Sequence, residues 1–187
     1  PNIVNAHPHS SEIVSVVHNG IIENSDEIKK ILEAKGIKFK SQTDTEVITL
    51  LITEALKNNK PLESVFNTLK KLKGSFALGI IFKNFENIII GARRGSPLAV
   101  GYSKEENYVG WDYYALKSMT NKISYLDDGD LCVLSKDKVE FYDLNKKKIN
   151  KKVHILSEDK NISDKGDYKN FMSKEIFEQS KTLKNYV

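Results

Sequence analysis

The chain has 187 residues, 40% hydrophobic and 29% charged, enough to bury a sizeable core in one domain and too apolar for a disordered polymer. The net charge of +4 comes from scattered lysines and one dense run, 146–152, without the interleaved aromatics or arginines of a nucleic-acid groove, so nucleic-acid binding is not expected. No apolar run reaches the ~20 residues of a membrane span, and the single cysteine, Cys132, excludes an internal disulfide and a cysteine-based zinc site.

Pro1-Asn2-Ile3-Val4 carries no initiator methionine and leads directly into a polar cluster, Asn5-Ala6-His7-Pro8-His9, so the chain reads as opening inside a longer one. A hydrophobic run of Ile13, Val14, Val16 and Val17 then drives into His18-Asn19-Gly20, which reads as a tight turn. Asn tolerates left-handed backbone and Gly leaves room for a ligand, so a carboxamide and a backbone N–H can be presented together as an oxyanion hole. An ordinary hairpin turn is the plain alternative. Asn24 or Ser25 caps a helix with Ile28, Ile31 and Leu32 on one face, and Gly36 stops it. Residues 37–40 form a short alternating segment. Ser41-Gln42-Thr43-Asp44-Thr45-Glu46 leads into an apolar helix carrying Val47, Ile48, Leu51, Ile52, Ala55 and Leu56, at whose start Asp44 reads first as an N-cap. Pro61 opens a third helix with Leu62, Val65, Phe66, Leu69 and Leu72 inward, closed by Gly74.

From residue 75 the texture turns to β. Strands are predicted at 75–82, 87–92, 98–102, 108–111, 123–126, 130–135, 139–142 and 153–156, with a short helix at 113–117. Asp127-Asp128-Gly129 and Ser135-Lys136-Asp137-Lys138 read as hairpin turns, and the lysine run as a solvated hairpin tip. Residues 155–167 read as loop and 170–185 as an amphipathic helix. Early helices and late antiparallel strands give an α+β fold, with helices covering sheets that pack on each other. The whole reads as a soluble, cytoplasmic domain.

Five motifs together are specific. Asn5-Ala6-His7-Pro8-His9, His18-Asn19-Gly20-Ile21-Ile22-Glu23-Asn24, Thr43-Asp44-Thr45-Glu46-Val47, Gly95-Ser96-Pro97-Leu98, and Lys174-Glu175-Ile176 with Glu178-Gln179 occur in an order and spacing that closely resembles the glutaminase domain of glutamine–fructose-6-phosphate aminotransferases. The resemblance covers nearly the whole chain. It implies a class II glutamine amidotransferase of the N-terminal-nucleophile fold, a four-layer αββα sandwich of antiparallel sheets. In that family an N-terminal cysteine attacks the glutamine side-chain amide with its own α-amino group as base. The released ammonia passes to a sugar-isomerase domain on the same chain, which makes glucosamine 6-phosphate from fructose 6-phosphate.

Carried over residue by residue, the resemblance gives Asn19 and Gly20 to the oxyanion, Asp44 to the α-ammonium of glutamine and His7 to the lining of the glutamine pocket. His9 stays structural and His18 orients the turn. It implies no metal or cofactor, and a homodimer for the full-length enzyme. Residues 1–169 are assigned to the glutaminase domain, and 170–187 to a helix that starts a linker toward the isomerase.

The departures are also informative. The chain lacks both the nucleophile and the Arg-Trp-Ala-Thr-His-Gly segment that grips the glutamine carboxylate in the family, so these 187 residues alone are expected to be inactive and fragile. Gly110-Trp111-Asp112 places an indole where a serine is usual, and Ser180 stands where a proline is common. Two alternatives stand beside this reading: the glutaminase domain of another class II amidotransferase, and a non-catalytic glutamine-binding module.

Overall fold

The computed structural model describes residues 2–85, 87–156, 168–170, 172–173 and 176–177. Contacts divide the chain into two units, 1–156 and 157–187. In the second, the rings of Tyr168 and Phe177 stack with centroids 5.8 Å apart, and the Ser173 N–H donates to Asn170 Oδ1. Most of the helix expected at 170–185, including Lys174, Glu175, Glu178 and Gln179, lies outside the described residues.

The first unit begins with a 3-10 turn at Ile3–Asn5, followed by a short strand, β1 (His9–Ser10), and a long one, β2 (Val14–Ile22). Three helices follow: α1 (Ser25–Ala34), α2 (Asp44–Leu56) and α3 (Pro61–Leu69). Then come β3 (Gly74–Phe82), β4 (Ile89–Arg94), β5 (Ala99–Tyr102), β6 (Asn107–Gly110), a one-turn α4 (Tyr113–Leu116), β7 (Lys122–Tyr125), β8 (Leu131–Leu134), β9 (Val139–Tyr142), β10 (Lys148–Ile149) and β11 (His154–Ile155). Among the described residues these make a seven-stranded sheet in the order β1-β2-β3-β4-β8-β9-β10 and a four-stranded sheet in the order β11-β7-β5-β6, every pairing antiparallel. The fold is α+β, as expected from the sequence.

The layers follow from period-two alternation. Val14, Val16 and Ile22 of β2 and Phe76, Leu78, Ile80 and Phe82 of β3 are buried in one core with Ile28 and Leu32 of α1, Val47, Ile48, Leu51 and Ile52 of α2, and Val65, Phe66 and Leu69 of α3. The opposite face of that sheet gives Ala77, Cys132 and Leu134 to a second core with Leu98, Val100 and Leu126. Leu116 of α4 packs with Ala99 and Ile123 on the other side of the small sheet. The order is therefore helices, large sheet, small sheet and a short helix.

Several local expectations are corrected. His18-Asn19-Gly20 is not a turn: β2 runs through it, paired residue for residue with β3 from Val14↔Phe82 to Ile22↔Gly74. The chain turns only at Glu23 and Asn24. Gly20 is required by close approach, because its φ is +133° and a Cβ there would lie 2.1 Å from the Ser75 carbonyl oxygen. Gly74, expected to end α3, instead begins β3 under the same constraint: its φ is +104° and a Cβ there would lie 2.2 Å from the Ile21 carbonyl oxygen. Asp127-Asp128-Gly129 joins no hairpin, since β7 and β8 belong to different sheets and the segment crosses between them. Ile31 is exposed while its helix partners Ile28 and Leu32 are buried.

Other expectations hold in part. The segment 135–138 does turn β8 into β9, and residues 143–147 turn β9 into β10, so Lys146 and Lys147 occupy a hairpin tip, whereas Lys148 lies in β10 and the Lys151 side chain is only 11% exposed, so the run as a whole is not a solvated tip. Three of its lysines form ion pairs: Lys146 with Glu63, Lys148 with Glu140, and Lys151 with Asp127 and Asp130.

Candidate functional site

The site is built on one edge of β2. In an antiparallel ladder successive residues point their N–H and C=O groups alternately to the two sides of the strand. Ile13 accepts from Lys83 and the Glu23 N–H donates to Lys73, so odd-numbered residues face β3. The Ser11 N–H donates to the Val14 carbonyl and the Ile22 N–H donates to Asp44, so even-numbered residues face the opposite edge. The unbroken register puts the Gly20 N–H on that same edge. β1 covers the edge only at Ser15 and Val16, which leaves it open around His18 and Gly20 among the described residues.

Asn19 is exposed, and its carboxamide makes no hydrogen bond to the described residues. A free amide beside an outward N–H can receive a developing negative charge. Two residues along, the Asp44 carboxylate closes the edge by accepting the Ile22 N–H at 2.8 Å. Asp44 is therefore not the cap of α2: Thr43 holds that position, without a side-chain cap bond, and Asp44 is the first helical residue. Its carboxylate is about a quarter exposed and can take a cation as well as the amide. A donor at Gly20 and an acceptor at Ile22 are about 7 Å apart along a strand. That spacing suits a small molecule with a carbonyl at one end of a few carbons and an ammonium at the other.

Behind Asp44 lies a histidine cluster that the sequence reading only partly foresaw. His18 shares the buried face of Val14 and Val16 and is 3% exposed. Its Nδ1 lies 3.2 Å from Thr45 Oγ1 and 3.8 Å from Asp44 Oδ1, while its buried Nε2 has no hydrogen-bond partner. His7 Nε2 reaches the same Thr45 hydroxyl at 3.2 Å, and His7 meets His9 edge-on with centroids 5.7 Å apart. His9 is buried, with Nε2 3.0 Å from Thr43 Oγ1.

Burial lowers the His18 pKa, and the nearby Asp44 and the Ser75 backbone only partly offset it; His7 adds to the lowering. His7 is lowered by its partial burial and by His9, against the pull of Asp44. Both rings are thus biased toward the neutral form. Among the described residues no three His, Cys, Asp or Glu side chains converge as a metal site.

Of the residues singled out from sequence, His7 and Asp44 are brought to one cluster, and Asn19 and Gly20 follow His18 on β2, with Asn19 exposed and the Gly20 N–H toward the open edge. Thr45 and the Ile22 N–H were missed. The alternation Val14, Val16, His18 carried a signal that the ring faces inward; nothing local marked Thr45 as the residue between two histidines.

Cys132 is fully buried on β8, and burial pushes its thiol up to about 12, so it is not a thiolate.

Residues 5–117 match the family model described as "Glutamine amidotransferase domain". The chain belongs to the glutamine amidotransferase domain family. It is 45% identical to the glutamine–fructose-6-phosphate aminotransferase (isomerizing) of Zymomonas mobilis over all of this chain and 32% of that protein. The proteins of the same name from Brucella abortus and Mesorhizobium japonicum are 46% and 47% identical over 98% and 100% of this chain. The chain spans about a third of the length of these curated relatives. Among solved structures, a glutamine phosphoribosylpyrophosphate amidotransferase from B. subtilis superposes with a TM-score of 0.64 at 24% identity, over 76% of this chain and 32% of that one. A structure titled as the allosteric regulatory enzyme of purine biosynthesis gives 0.63, also at 24% identity, over 75% of this chain and 31% of that one. These likenesses establish the shared fold.

Proposed function

We propose that this domain binds glutamine along the open edge of β2 and stabilises the transition state of its hydrolysis to glutamate and ammonia. The observation that carries the reading is the pairing of the outward Gly20 N–H and free Asn19 carboxamide with the Asp44 carboxylate two residues along the same edge. A thiolate attacking the amide carbon forms a C–S bond and drives the carbonyl π electrons onto oxygen. That oxyanion is met by the Gly20 N–H and Asn19 Nδ2. Collapse expels the protonated amide nitrogen as ammonia, and water then cleaves the thioester to glutamate. Asp44 holds the α-ammonium, which separates an amino acid from a plain amide, and His7 lines the pocket.

The nucleophile is the N-terminal cysteine that the family resemblance implies, since the Cys132 thiol is buried in its protonated form. These 187 residues without that cysteine are therefore inactive. The high identity to relatives named as fructose-6-phosphate aminotransferases supports a parent enzyme that delivers the ammonia to fructose 6-phosphate. Its partner is a sugar-isomerase domain joined through residues 170–187, and the full-length enzyme is a cytoplasmic homodimer.

The test is glutamate release by this chain placed behind the family's cysteine segment, with and without Asn19→Ala. The change is expected to lower kcat by roughly 10²–10³, the range for one oxyanion donor. An unchanged kcat with chemistry rate-limiting would remove Asn19 from the reaction.

A further inference from the structure

The Asp44 carboxylate has a competitor for the cation it is proposed to bind. His18 Nδ1 stands 3.8 Å from Asp44 Oδ1 in a buried setting, and a protonated His18 there would pair with the carboxylate. The same nitrogen lies closer, at 3.2 Å, to the hydroxyl of Thr45, which is 2% exposed and reaches His7 Nε2 at the same distance. A hydroxyl has one proton and two lone pairs, so this one oxygen can satisfy a neutral ring nitrogen on each side. His18 Nε2 is buried without a side-chain partner, and its Nδ1 faces the Thr45 hydroxyl and the Asp44 carboxylate.

We propose that Thr45 is a positioning residue for the ammonium subsite: by holding His7 and His18 on one hydroxyl it keeps His18 from pairing with Asp44 and leaves that carboxylate open to the substrate. The inference rests on the glutamine reading given above. The groups that face His18 are Asp44 and Thr45 from α2, His7 from the N-terminal segment and the Ser75 backbone from β3. His9 and, through it, Glu46 stand one shell further out. Burial and His7 disfavour the imidazolium while Asp44 and Ser75 favour it, so the balance is one that the loss of a hydroxyl can tip. A purely structural Thr45 would affect stability without changing how the histidines titrate.

Two variants separate the cases: Thr45→Val, which keeps the shape and removes the hydroxyl, and Thr45→Ser, which keeps the hydroxyl. In the cysteine-bearing protein, imidazole nitrogen resonances followed against pH should show the His18 midpoint moving up and the His7 resonances shifting in Thr45→Val. His154, on β11 and outside the cluster, serves as the internal reference, and Thr45→Ser should resemble the parent.

In the cysteine-bearing protein, the glutamine KM of Thr45→Val should rise near pH 6 and recover toward pH 8, with the effect on KM rather than kcat. If His18 pairing leaves the carboxylate free in about one molecule in ten, KM rises about tenfold. A second change, His18→Gln, should abolish that acid-side rise. Unmoved His7 and His18 resonances in Thr45→Val overturn the shared-hydroxyl arrangement. A KM unchanged from pH 6 to 8 overturns the protection of Asp44. A parent protein that neither binds nor hydrolyses glutamine overturns the glutamine reading, and the subsite with it, while the histidine resonances still report on the hydroxyl separately.

Discussion

The Asp44 carboxylate accepts the backbone N–H of Ile22 at 2.8 Å, tying the first turn of α2 to the free edge of β2. One oxygen is thereby fixed by the fold while the other faces His18 at 3.8 Å. An Asp44→Asn change keeps one acceptor for Ile22, removes the charge and turns the other oxygen into an amide donor. In the cysteine-bearing protein, kcat/KM for glutamine should fall by about 2–5 kcal/mol of transition-state stabilisation, the cost of removing one partner of a charge pair. Far-UV circular dichroism should be unchanged. Near-normal kcat/KM in a well-folded variant would reduce Asp44 to an anchor between helix and strand.

Gly20 offers a test that needs no activity. Alanine there would carry a Cβ 2.1 Å from the Ser75 carbonyl oxygen at a φ of +133°. The expected loss is roughly 3 kcal/mol or more in urea unfolding. Gly36→Ala, at φ +81° with nothing within 4 Å of the new atom, should cost only about 1–2 kcal/mol. Equal losses at the two positions would contradict the close approach of β2 and β3.

Glu46 predicts a pH dependence. Burial raises its pKa, but the Ser41 hydroxyl and the Lys40 and Ser41 N–H groups outweigh that, so its folded pKa is lowered below 4.5. The carboxylate accepts those three bonds at 2.6, 2.8 and 2.6 Å. A lowered folded pKa means the stabilisation is present above the unfolded value and is lost as pH falls through the folded one. Glu46→Gln should therefore cost about 1–3 kcal/mol at pH 7 and progressively less below pH 4.5, measured by denaturant titration. A constant difference from pH 7 to 3 would contradict the network.

Cys132 should resist thiol reagents in the native chain at pH 8 and react once denaturant is added. Its Sγ is buried between the sheets, and burial holds the thiol at about 12. Fast labelling under native conditions would contradict that placement.

The helices and most strands were legible because their hydrophobic periods are long and consistent: the α2 run from Val47 to Ile52 and the β3 run from Phe76 to Phe82 leave little choice. The misreadings share a cause. Asn-Gly is a turn signal locally, but nine residues of pairing with β3 hold Asn19 and Gly20 in the strand, and Gly20 serves a close approach that only the neighbouring backbone reveals. Asp127-Asp128-Gly129 likewise turns the chain, but which sheet receives it is a tertiary fact. The roles of Asn19, Gly20 and Asp44 were suggested by motif resemblance, whereas Thr45 needed coordinates, because its partners His7 and His18 lie 38 and 27 residues away.

The most direct test of the account is the structure of the cysteine-bearing protein with glutamine bound, its nucleophile replaced by alanine to prevent turnover. The side-chain carbonyl oxygen should lie within hydrogen-bonding distance of the Gly20 N–H and Asn19 Nδ2, with the α-ammonium on the Asp44 carboxylate and Ile22 still bonded to its other oxygen. Glutamine bound elsewhere, or bound with its ammonium away from Asp44, would contradict the central claim that the open edge of β2 is the glutamine site.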